Sequence, residues 1–170
     1  MRLLAVIGAL AIIVVIAAAV YFFGGFYSVA ATEEPAPVAW VLTHVREASV
    51  DRHATETPPA SLDDAKLVQA GAKAFLARGC TVCHGGPGVP WLKATEGIQP
   101  GPPDLKDVVK DRTPAELFWV VKHGIKMTAM PSFGSIGVPD PEIWSIVAFL
   151  KKLPTVTDAE FKTWTAAASN

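Results

Sequence analysis

The stretch RGCTVCHGGPG holds both cysteines of the chain, Cys80 and Cys83, with His84 directly after the second. Two thiols and an imidazole in five residues admit few chemistries. A thioredoxin-type redox pair needs a βαβ setting, and the flanking pattern is helical. A tetrahedral zinc site needs four ligands, usually as two separated pairs, and no second Cys-x-x-Cys or His-x-x-x-His follows. Cys-x-x-Cys-His is the attachment signature for one c-type haem. The thiols add to the two vinyl groups of the porphyrin, and the histidine binds iron from the proximal side.

An iron held this way in an electron carrier takes a second axial ligand, often a methionine thioether. Apart from Met1, the candidates are Met127 and Met130, both in KHGIKMTAMPSFG. Met130 precedes Pro131, which favours extended backbone and a stiff loop. His123 is a third candidate, although a histidine in the last turn of a helix is favoured there by the dipole alone. From the residues, the distal position stays open among these three.

The elements that must position these groups are helical. SLDDAKLVQAGAKAFLARG predicts a helix capped by Ser61, with acids in its first turn and a stop at Gly79. TPAELFWVVKHG has Thr113 at the cap, Pro114 in the first turn, Glu116 closing a capping box and Gly124 at the end. DPEIWSIVAFLKKLP repeats the pattern from Asp140 and Pro141 to Pro154, and Thr157 with Glu160 opens a last helix. A long Gly/Pro-rich loop covers about 85–112, and no strand alternation appears after residue 60. The fold class is therefore all-α. Four modest helices with such loops predict a small apolar core of their own, completed by a large cofactor.

Upstream, Leu3 to Phe23 are 21 uncharged residues, roughly 31 Å as a helix, which matches a bilayer core. Arg2 precedes the run and Glu33 and Glu34 follow it, so the positive-inside rule puts Arg2 in the cytoplasm and the rest across the membrane. Tyr21, Phe22, Phe23, Phe26 and Tyr27 suit an interfacial belt. Val29-Ala30-Ala31 would suit signal cleavage, but the apolar run exceeds the ~7–15 residues of a signal core, which favours an uncleaved anchor. Val38, Val41, Leu42 and Val45 recur at helical spacing and predict an amphipathic helix over about 38–54. The expected organisation is a transmembrane anchor over 1–27, a linker with that helix over 28–60, and a haem domain over 61–170. Net charge is -1, and from Thr57 on 12 Lys/Arg face 11 Asp/Glu, so nothing points to nucleic acid. Any basic patch for an acidic partner, for example Lys93, Lys122 and Lys126, must be local.

GCTVCHG, PPDL, VKHGIKMTAMPSFG and IWSIVAFLKKLP together resemble the small His/Met-ligated c-type cytochromes with one haem. The likeness is to bacterial membrane-anchored members, similar to the cytochrome c domains of cbb3-type oxidase subunits, and it covers roughly 62–153. The resemblance implies a small cytochrome c fold with Met130 as distal ligand. It implies that Gly71 and Phe75 of the first domain helix pack on Ile146 and Phe149. It also implies that a proline carbonyl accepts a hydrogen bond from His84. Counting from Gly101 gives Pro102 and counting back from Leu105 gives Pro103, with Pro103 preferred. The implied function is electron transfer by haem c, not catalysis, at the periplasmic face of the bacterial inner membrane. The implied partner is a membrane-embedded oxidase, dehydrogenase or quinol-oxidising complex, or another cytochrome. The bilayer itself is met through residues 3–23. The rival function is a haem-based sensor or small-ligand binder with an open or labile distal position.

Overall fold

The computed structural model of the protein describes residues 1–30 and 34–166. Ala31 of the candidate cleavage motif and Glu33 beside the apolar run lie outside the described residues. Two compact units form, Met1–Thr32 and Glu33–Asn170. The first is built on α1 (Arg2–Phe23), which is long and apolar enough to cross a membrane by length and composition. Tyr21, Phe22 and Tyr27 cluster at its end, with ring centroids 5.2–6.2 Å apart.

The second unit contains α2 (Ala36–His53), α3 (Ala65–Ala77), α4 (Cys80–His84), α5 (Leu105–Val108), α6 (Pro114–His123), α7 (Asp140–Lys152) and α8 (Asp158–Ala166). No strand forms among the described residues; a single bridge pairs Gly86 with Val89. The fold is all-α, as expected. The capping box at Thr113 and Glu116 is closed in both directions, and Thr157 and Glu160 exchange the same pair of bonds. At α3 the cap differs from the expectation. Asp64, not Ser61, accepts from the amides of Lys66 and Leu67, both at 2.9 Å, and no acid lies in the first turn. Asparate and serine cap about equally well, so the residue that stands directly before the helical stretch takes the position.

The centre of the unit is the crossing of α3 and α7. Gly71 lies so close to α7 that a Cβ there would overlap the Ser145 carbonyl and press on Phe149 Cβ. Beside it Phe75 meets Phe149 with centroids 5.2 Å apart, and Phe161 of α8 reaches Phe149 at 5.5 Å. Gly71 thus faces Ser145 and Phe149, while Ile146 belongs to the surrounding core. Arg78, just past α3, donates to both carboxylate oxygens of Glu142 at 2.7 and 3.0 Å, so the end of α3 is tied to the start of α7. On the other side Phe118 of α6 stacks on Trp144 at 4.1 Å. Lys151 donates to the carbonyls of Val109 and Arg112, both at 2.9 Å, and fixes the end of the long loop. The apolar core is larger than expected: four phenylalanines, Phe75, Phe118, Phe149 and Phe161, are fully buried. A helix-on-helix contact without an intervening side chain seals that core around its aromatic rings.

Within this unit the second half of α2 clamps onto α6. Val50 is buried, Arg112 bridges Glu47 and Glu116, and His53 stacks on Trp119 at 6.0 Å. The Glu116 carboxylate beside it holds the Asp51 carboxyl above its ordinary value.

The Gly71→Ala substitution is expected to cost at least roughly 1–3 kcal/mol, the usual range for overpacking, because the obstacle is backbone and cannot swing aside. A guanidinium unfolding curve of the haem-loaded chain reads this. An unchanged midpoint would mean that the crossing is not the tight point of the fold.

Candidate functional site

The site begins where α3 ends. Gly79 turns the chain at φ +75, and α4 then makes a single helical turn. Cys80, Cys83 and His84 occupy positions i, i+3 and i+4 of that turn, which places them on one face. Gly85, at φ +64, ends it. Cys80 packs against the apolar core, and both thiols are free and half-buried.

His84 is oriented by a long-range bond. Its Nδ1 lies 3.0 Å from the Pro103 carbonyl oxygen. A carbonyl can only accept, so Nδ1 carries the proton and Nε2 keeps a bare lone pair. Burial pushes His84 below the ordinary imidazole value, and the carbonyl acceptor pulls weakly the other way. The ring is therefore neutral at pH 7. A depressed base of this kind contributes stability above the ordinary value and loses it as pH falls through the folded one. The backbone at Pro103 is held by its neighbour: Asp104 Oδ1 accepts from the Lys106 amide at 2.8 Å and caps α5. Asp104 escaped the sequence reading, although an Asp between Pro-Pro and an apolar helix start carries a capping signal.

The Cys80 thiol is poorly suited to redox exchange. Burial, reinforced by the neighbouring Cys83, pushes the Cys80 thiol up to about 12, whereas a reactive dithiol needs a depressed value. Among the described residues no group of three or more His, Cys, Asp or Glu could hold a metal ion. Two free thiols and an imidazole with a free Nε2, on one face of a half-buried turn, fit a covalently held haem. Next to His84 opens a cleft of about 340 Å³, lined by Gly85, Val89, Trp91, Asp104 and Leu105 among others.

The two methionines have different settings. The loop after α6 folds back on itself at Gly124. There φ is +66, and a Cβ would stand 2.7 Å from Met130 O, Pro131 C and Ser132 N. The Ile125 amide donates to Met130 O at 3.2 Å, and the Met130 amide donates to Thr128 Oγ1 at 3.1 Å. Ser132 Oγ donates to the Lys122 carbonyl at 2.8 Å. Met130 is half-buried against the same core as Cys80. Met127 is 96 % exposed and has φ +60. Thr128 and Ser132 were not singled out from sequence; hydroxyls two residues either side of Met130 are the signal for local side-chain-to-backbone bonds.

Other candidates serve elsewhere. His123 packs against Trp119 with ring centroids 5.1 Å apart, and its Nε2 faces Glu56 Oε1 at 3.9 Å. Lys122 pairs with Asp140 at 2.9 Å while lying 5.3 Å over the Phe118 ring.

Gly124→Ala is expected to displace the loop that carries Met130, since both the positive φ and the 2.7 Å contacts oppose a side chain. A loss of about 1–3 kcal/mol in unfolding free energy of the haem-loaded chain would register it. A Gly124→Ala variant with unchanged stability would show that the loop yields freely there.

No curated protein and no solved structure matches the chain significantly. The family model described as cytochrome c oxidase, cbb3-type, subunit III matches residues 66–150, from the first turn of α3 to the last turn of α7, and takes in the thiol pair, His84, Pro103 and Met130. The protein belongs to this family of c-type cytochrome domains, with a covalently attached haem c and a haem-based role in electron transfer.

Proposed function

We propose that the protein is a membrane-tethered electron-transfer cytochrome with one haem c, held by Cys80 and Cys83 and bound axially by His84 and Met130. The observation that carries this reading is the hydrogen bond from His84 Nδ1 to the Pro103 carbonyl, which leaves Nε2 unprotonated on the same face as both thiols. When bound, haem c supplies a one-electron ferrous/ferric couple. The residues do the rest. Cys80 and Cys83 tether the group. Pro103 sets the tautomer of His84 and raises its basicity as a ligand. The Gly124–Ser132 loop presents Met130, whose half-buried setting supports it over exposed Met127 as the distal ligand. With His84 and Met130 both given to holding the haem, the chain would pass electrons and leave catalysis to other subunits.

The α1 segment supports an uncleaved anchor over residues 1–27 in the bacterial inner membrane. The haem domain over 61–170 then faces the periplasm, in line with Arg2 on one flank of the apolar run. The family description names an oxidase subunit, which supports a cytochrome subunit of a membrane-embedded redox complex over a free shuttle.

The ferric absorption spectrum tests the ligation. A far-red band from the Met–iron bond is expected in the wild type and in Met127→Ala, and its loss is expected in Met130→Ala. Removal of the thioether is also expected to lower the potential. Retention of the band in Met130→Ala, or rapid carbon monoxide binding by the native ferrous protein, would overturn the assignment in favour of a ligand-binding sensor.

A further inference from the structure

The helix α2 lies outside the residues matched by the family, and its two halves differ. The second half is spent on the clamp to α6. The first half, APVAWVLTHV over 36–45, carries no charge. Its large apolar side chains are exposed: Trp40 62 %, Val41 49 %, Leu42 53 % and Val45 61 %. At about 100° per residue these four span roughly 200° of the helix surface, wider than the apolar stripe of about 100° that an ordinary surface helix sets against its core, with Thr43 on the arc that remains. An apolar stripe of that width is ordinarily covered.

Trp40 is also pre-set. Its ring packs on the His44 imidazole with centroids 4.1 Å apart, and His44 Nδ1 donates to the Trp40 carbonyl at 2.8 Å. A tryptophan with its rotamer already fixed loses little entropy on contact, and tryptophan is among the residues that dominate binding hot spots. A bilayer surface is the poorer occupant. Helices that lie in the interface set a Lys/Arg-rich polar face against the headgroups, and this half-helix has none. The nearest basic residue, Arg46, is occupied by Glu47 at 2.9 Å. Absence of charge around a central aromatic anchor is the composition of a protein–protein interface core.

We infer that the first half of α2 is a docking helix, seated in an uncharged apolar groove of another subunit of the redox complex, with Trp40 as its anchor. This rests on the subunit reading above. The clamp through Val50, Glu47–Arg112 and His53–Trp119 makes the docking helix rigidly continuous with the haem domain, so seating it also orients the domain. The partner groove must be apolar and free of acidic and basic groups, since a charge buried opposite Leu42 or Val45 would go unpaired.

The test uses the full haem-loaded chain in its native membranes, solubilised in mild detergent. Wild type is expected to co-elute with one redox complex of defined composition. Trp40→Ala and the double variant Leu42→Glu/Val45→Glu are expected to weaken that association at least about 30-fold, the equivalent of a single hot spot. Both should keep covalent haem, the far-red band and the wild-type unfolding midpoint, because these side chains are exposed. A photo-crosslinker in place of Val41 is expected to mark one integral subunit of that complex. Crosslinks to lipid alone, or to a second copy of this chain alone, would overturn the inference. So would variants that co-elute like wild type. A wild-type chain that always elutes alone would sink the subunit reading together with the inference, and this differs from the case in which wild type associates and the variants do so equally well.

Discussion

At Gly71 the axes of α3 and α7 come together until the Ser145 carbonyl occupies the space a β-carbon would need. Everything that matters for the site is referenced to that contact. It sets how far α3 runs along α7, and hence where Arg78 meets Glu142 and where Gly79 turns the chain into α4. Shift the crossing by a side chain and the thiol pair moves with it. The aromatic rings of Phe75, Phe149 and Phe161 make the contact costly to open, because each is buried and each touches the next. The core around this crossing stands on helix packing, and the thiol pair is fixed to it where α3 ends.

The two sides of the site are built on different principles. On the His84 side the parts are stiff: one helical turn closed by glycines, an imidazole pinned to Pro103, and a carbonyl held by a capped α5. On the Met130 side the chain is a loop, and its shape comes from local bonds by Thr128 and Ser132 and from the close approach at Gly124. In the proposed ligation a stiff histidine turn is paired with a loop-borne methionine, so the loop could be adjusted without disturbing attachment.

How legible this was depends on range. Thr113 with Glu116, and Thr157 with Glu160, are visible in sequence because a capping box is closed within three residues. Ser61 failed for a related reason: three polar cap formers stand within four positions, and only the geometry of the α3 entrance chooses Asp64. The choice between Pro102 and Pro103 could not be made by counting, since the answer depends on which carbonyl arrives beside a histidine 19 residues away. The α2 clamp was invisible for the same reason. Glu47 and Arg112 are 65 positions apart, and neither carries a mark of the other. Even the helix at 36–53, legible by its spacing, differs from the expected amphipathic one: its single buried apolar residue is Val50, with Trp40, Val41, Leu42 and Val45 left outward.

That outward apolar surface bears on how such a protein achieves specificity. In the proposed arrangement His84 and Met130 would both hold the haem, so the iron itself would not discriminate between partners. A formal charge balance near neutrality in the haem domain gives little long-range steering. Selection must then come from short-range shape and burial, and from confinement. Tethering by α1 would raise the effective concentration near membrane complexes without any new contact. Confinement alone favours every neighbour equally. A rigid, uncharged helix with a pre-set tryptophan discriminates, because it rewards only a partner whose surface is also free of charge.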